Sequence, residues 1–162
     1  MGLNLRTLRI MTQYTTRLVE MIFPEQANHY GTLFGGNALN LLSKAAFLVA
    51  NAPTFTAFAA PRGGAPLAWG GPAPASRHAR GDMVMAACSE VKFLAPVRLG
   101  QALALTAHIT RTGRSSMTIR VEGAAETLAS GESHPALEGS FEMVAVDAQG
   151  QPVTCAHSKE KP

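Results

Sequence analysis

The chain has 162 residues, 46% of them hydrophobic and only 15% charged, with a formal net charge of +3. That length suits one domain with a sizeable core, and that composition excludes a disordered chain. The thin positive charge gathers only at Arg77, His78 and Arg80, so nucleic-acid binding has little support, although a small polyanion would be tolerated.

No segment is apolar for long enough to span a membrane. Asn4, Arg6 and Arg9 interrupt any signal-peptide core, and Met11 is a second candidate start. Residues 1–12 are expected to be a poorly packed extension. Cys88 and Cys155 lack metal-ligand spacing and read as free thiols in a reducing cytoplasm.

Gln13 to Phe23 alternates and carries Thr15, Thr16, Val19 and Ile22, which predicts a first strand ended by Pro24. A polar loop over 25–34 leads into Gly35-Gly36 and a helix to about Asn51. From Ala38 to Ala50 its only polar residues are Asn40, Ser43 and Lys44, so it is expected to be buried on every side within a curved sheet. Residues 52–76 are rich in Pro, Gly and Ala and read as an irregular insertion, a lid or a binding loop.

Four strand-like segments follow, at about Met83–Phe93, Gln101–Thr112, Ser115–Leu128 and His134–Asp147. Thr112-Gly113-Arg114 marks a tight hairpin, and the short connections imply antiparallel neighbours. The predicted class is α+β: one long helix wrapped by a curved five-stranded antiparallel sheet over 13–147, then a polar tail over 148–162. Such a sheet leaves an edge strand open, which favours a homodimer or a larger assembly built from dimers.

Gly35 and Gly36 stand where the helix begins, so the unpaired N–H groups of its first turn could polarise a carbonyl or hold an anion. Asn28, His29 and Tyr30 precede them. The run Asn28-His29-Tyr30-Gly31-Thr32-Leu33-Phe34-Gly35-Gly36 resembles that of the short bacterial hotdog-fold acyl-CoA thioesterases. Phe93-Leu94-Ala95-Pro96-Val97-Arg98-Leu99-Gly100, Gly113-Arg114-Ser115-Ser116-Met117 and Phe141–Asp147 extend the resemblance in the same order, over roughly residues 15–152.

The resemblance implies hydrolysis of an acyl-CoA thioester to a free acid and coenzyme A, without metal or redox cofactor. It gives Gly35 and Gly36 the oxyanion, and Asn28 the water or the carbonyl. An Asn in a loop also commonly caps its own turn. The family's helix carboxylate falls seven residues after Gly36, where this chain has Ser43, two turns along on the same face. A hydroxyl does not deprotonate water unaided, and a missing general base costs on the order of 10²–10⁴ in rate.

Three readings remain open at Ser43. Glu25 or His29 supplies the base; Ser43 is a nucleophile activated by His29; or the protein binds acyl-CoA and hydrolyses it poorly. Glu25 and His29 also read as ordinary loop residues, and Lys44 as a chain reaching solvent. Arg114, Ser115 and Ser116 match the family positions near the coenzyme A phosphates, with Arg77, His78 and Arg80 as a second basic candidate. Phe34, Leu39 and Leu42 could line an acyl tunnel against a partner subunit. A hotdog dehydratase is a further alternative, for which His29 alone gives little support.

Overall fold

A computed structural model describes residues 15–51 and 82–154. The elements are β1 (Thr15–Met21), a 3-10 turn (Pro24–Gln26), α1 (Gly35–Ala50), β2 (Asp82–Phe93), β3 (Ala102–Thr112), β4 (Ser116–Glu126) and β5 (Ser133–Val146). This is the expected hotdog arrangement, one long helix against a five-stranded sheet in the order β1-β3-β4-β5-β2. Every pairing is antiparallel. The 1–12 extension, the 52–76 insertion, Arg77, His78, Arg80 and Cys155 lie outside the described residues.

Alternation sets the inner face of the sheet. Leu103, Leu105 and Ala107 of β3 are wholly buried, as are Ile119 and Val121 of β4 and Phe141 of β5. Against them α1 lays Ala38, Leu41, Leu42, Ala45, Ala46, Val49 and Ala50. The three alanines before Val49 let the helix axis sit close to the strands.

The opposite stripe is open, which corrects the expectation of burial on every side. Gly36, Asn40, Lys44 and Phe47 are exposed and Ser43 is half-buried. Leu39 and Phe47 remain 40% and 51% accessible. The strands cover only one side of the helix, and its uniform apolarity reflects a face awaiting a cover.

Two features bend the sheet. A register shift lies between Gly123 and Ala124 of β4, and β2 has two more, at Met85/Ala87 and Cys88/Glu90. Gly123 sits where a Cβ would come within 2.8 Å of the Leu105 side chain and 3.2 Å of Leu137, so β3 and β5 crowd around it. After β5 the described residues of the expected polar tail, up to 154, turn back on the strand end. Asp147 Oδ1 accepts from the N–H groups of Gln149 and Gln151, and the Val153 N–H donates to the Ala145 carbonyl.

The outer face carries a charge ladder across three strands. Lys92 Nζ lies 3.1 Å from Glu90 and 3.0 Å from Glu138, and Arg120 Nη2 lies 2.6 Å from Glu138. The Lys92 hydrogen bond, with the nearby Lys92 and Arg120 charges, holds the Glu138 carboxyl below its usual range. A depressed carboxylate pKa stabilises the fold above the ordinary glutamate value of about 4.3, and that contribution is lost as pH falls through the lower folded value. Between about pH 5 and pH 3 the Tm of wild type should therefore drop more steeply than that of Glu138→Gln, read by thermal melting.

Candidate active site at the start of the central helix

The loop before α1 is built around two residues. Asn28 Oδ1 accepts three hydrogen bonds, from the Tyr30 N–H at 3.0 Å and from the Thr32 N–H and hydroxyl at 3.2 Å each. Gly31, at φ +73°, closes this turn in a conformation that suits glycine. Backbone N–H groups can donate only to an oxygen, so the network fixes which end of the amide is the carbonyl. Its Nδ2 amino group has no acceptor among the described residues. Asn28 thus caps its own turn, as an Asn in a loop commonly does, and in doing so keeps a free donor.

Gln26 is the second anchor. Its carbonyl accepts from the Phe34 N–H and from Asn37 Nδ2, both at 2.9 Å. Its side chain accepts from the Phe23 N–H at 3.0 Å and donates to Glu20 Oε1 at 3.2 Å. The loop's far side is laced to the 97–99 segment by Leu33 N–H to Val97 O and Leu99 N–H to Gly31 O. The helix start is therefore held on two sides.

At that start the first helical bond runs from the Ala38 N–H to the Phe34 carbonyl, and no side chain caps the helix. The N–H groups of Gly35, Gly36 and Asn37 are left without acceptors among the described residues. A Cβ on Gly36 would meet the Phe34 ring at 2.9 Å, so this glycine makes room for Phe34 beside the donors. A Cβ on Gly35 would meet the Phe93 ring at an ordinary contact distance of 3.7 Å. Below lies a cavity of about 280 Å³ lined by Leu33, Ala38, Phe93, Pro96, Val97 and Leu137, among others.

The remaining sequence candidates divide. Glu25 is exposed on the 3-10 turn, directly before the Gln26 anchor. His29 is exposed, with its ring against Tyr30 at a centroid separation of 3.9 Å. Ser43 Oγ donates to the Asn40 carbonyl at 2.8 Å, a bond within the helix that makes no link to His29. The nucleophile reading of Ser43 gains nothing from this geometry.

Arg114, Ser115 and Ser116 lie elsewhere. Ser116 pairs with Val144, whereas Leu137, beside the helix start, pairs with Phe93. Those rows are seven residues apart along β5, about 23 Å at 3.3 Å per residue, so one chain does not bring the hairpin to Gly36. Gln26 and Asn37 are not among the residues the sequence singles out, and Phe93 enters there only within the resemblance and as a strand end. Gln26 had one signal, its place three residues after Phe23 behind Pro24, where a side chain can reach back to the first N–H of a turn.

Among the described residues no group of three or more His, Cys, Asp or Glu could hold a metal, and no helix is long and apolar enough to cross a membrane.

Comparison with known proteins points the same way. The family model described as the thioesterase superfamily matches residues 30–131. An uncharacterised acyl-CoA thioester hydrolase of Zymomonas mobilis is 32% identical over 129 residues, 80% of this chain and 70% of that protein. The acyl-CoA thioester hydrolase YciA of Escherichia coli is 33% identical over 86 residues, covering 51% of this chain and 65% of that protein. Among solved structures, an apo-hexameric acyl-CoA thioesterase superposes with a TM-score of 0.68 at 28% identity, over 89% of this chain and 76% of that one. An acyl-CoA hydrolase from Bacillus cereus gives 0.68 at 27% identity, over 89% and 73%.

Proposed function

Because this chain belongs to the thioesterase superfamily, we propose that it is an acyl-CoA thioester hydrolase acting as a homo-oligomer. The observation that carries this reading is the cluster of unpaired donors at the start of α1, the N–H groups of Gly35, Gly36 and Asn37, in the same tied loop as the Asn28 amide. The thioester carbonyl oxygen would sit on the glycine N–H groups, where negative charge develops as water attacks. Asn28 can add only a donor, so its role is to polarise the carbonyl. Water adds to the acyl carbon, the C–S bond breaks, and coenzyme A leaves as the thiol. With Ser43 in the family's carboxylate position, Glu25 and His29 are the exposed groups left in the loop to take the water's proton. The scheme uses no metal or redox cofactor, and the free thiol of Cys88 with an acyl-CoA substrate suits the cytoplasm.

A second copy completes the site. β2 is an edge strand, and Met83–Ser89 carries no charge, with Val84 and Met85 41% and 50% exposed. An uncharged apolar edge invites pairing with its own twin. Antiparallel pairing of β2 with a second β2 would set the Asp82 end of one chain beside the Phe93 end of the other. That would carry the partner's Arg114–Ser116 hairpin toward this chain's Gly35, where the coenzyme A phosphates need a cation.

The test is thiol release from acyl-CoAs by wild type and Ala87→Lys, with sedimentation of both. Like charges placed opposite each other on the paired edge should yield monomers and lower turnover at least about tenfold. Absence of turnover in an assembled wild type would reject the activity, and an assembled, active Ala87→Lys would reject the edge.

A further inference from the structure

The open stripe of α1 runs from Gly36 through Asn40 to Lys44 and Phe47, and it ends in a groove of about 390 Å³. Leu18 of β1 and Met85 of β2, the latter within the edge proposed to pair with a second copy, stand on its banks, and Phe47, Leu48 and Met143 complete the apolar walls. Its polar members are Ser43 and Lys44. The Ser43 hydroxyl is already engaged with the Asn40 carbonyl. The Lys44 ammonium has no ion pair or hydrogen bond among the described residues, as is also true of the Arg17, Arg98, Arg111 and Arg114 side chains, and what sets Lys44 apart from those is its place in the wall of an apolar groove.

An unpartnered cation at the side of an apolar groove is complementary to a ligand that is apolar along its length and anionic at its end. We propose that the groove receives the distal part of an acyl chain bearing a terminal carboxylate, which Lys44 binds. The assignment deepens the thioesterase reading and rests on it for the position of the thioester. Lys44 follows Gly36 by eight residues, about 12 Å along the axis at 1.5 Å per residue. A carbonyl held at the helix start and a carboxylate held at Lys44 are therefore separated by a chain of medium length. A short acyl group would not reach the ammonium. A long monocarboxylic chain would put a methyl group where the charge sits.

Equilibrium binding of non-hydrolysable thioether analogues of suberyl-CoA and octanoyl-CoA, equal in carbon count, tests this on the full chain, with turnover of the two thioesters measured alongside. Wild type should bind the suberyl analogue about tenfold more tightly, the effect of one charge-assisted contact, and added salt should shrink the ratio. Lys44→Met should abolish the preference, Lys44→Glu should invert it, and Lys44→Arg should retain it. Octanoyl binding as tight as suberyl in wild type, or a preference unmoved in Lys44→Met, would overturn the assignment. Retained selectivity in binding without hydrolysis of either thioester would leave the groove assignment standing and remove the thioesterase reading instead.

Discussion

Ser43→Asp should raise kcat for acyl-CoA hydrolysis by about 10²-fold, at the lower end of what a positioned general base contributes. The serine hydroxyl is turned back onto the Asn40 carbonyl. A carboxylate only accepts hydrogen bonds, so an aspartate there is repelled by that carbonyl and swings toward the open stripe, about 10 Å along the axis from its own Gly36, where it would serve the water at the helix start of a paired second copy. The same substitution identifies the base now in use. Glu25→Gln should cost wild type at least about tenfold, yet cost the Ser43→Asp variant little, because one proton needs one acceptor. Equal losses in both backgrounds would show that Glu25 serves the loop's structure. A Ser43→Asp variant no faster than wild type would show that this helix position does not face the water.

Asn28 offers the second large effect, and its geometry separates fold from chemistry. Asn28→Asp keeps an oxygen for the three donors of its turn and removes only the amino group. Melting should therefore stay near wild type while kcat falls by about 10²–10³, the usual loss for one oxyanion donor. Asn28→Ala removes both ends of the amide. It should show the same kinetic loss and, in addition, about 1–3 kcal/mol of destabilisation from the orphaned donors. Full activity in Asn28→Asp would reduce the residue to a turn cap.

The difference between Ser43 and Asn28 shows what the sequence could and could not carry. Local pattern served well for the elements. The helix was expected over 35–51 and spans Gly35–Ala50, and the hairpin strands fall within two residues of their expected ends. Alternation and turn residues act over a few positions, and those positions were all in view. The first strand ends at Met21, two residues before the expected Phe23, since the Ile22 N–H leaves the ladder and donates to the Gln101 carbonyl instead.

What a local pattern leaves open is longer in range. The open stripe on α1 was hidden because apolarity marks a face that will be covered without saying by which chain. The distance between Arg114 and Gly36 depends on strand order, which no local window contains. That the Asn28 oxygen is engaged by Tyr30 and Thr32 depends on how the loop folds back on itself.

The bend of the sheet reaches further than the strands that make it. The groove is bounded by one residue from each edge strand, Leu18 and Met85, so its width is the gap left when the two margins of the sheet approach each other around the helix. That gap is governed from the spine, by the crowded glycine at 123 with its adjoining register shift and by the two shifts in β2. Substitutions that alter the sheet's curvature would therefore change the width of the groove while every side chain that lines it stays as it is.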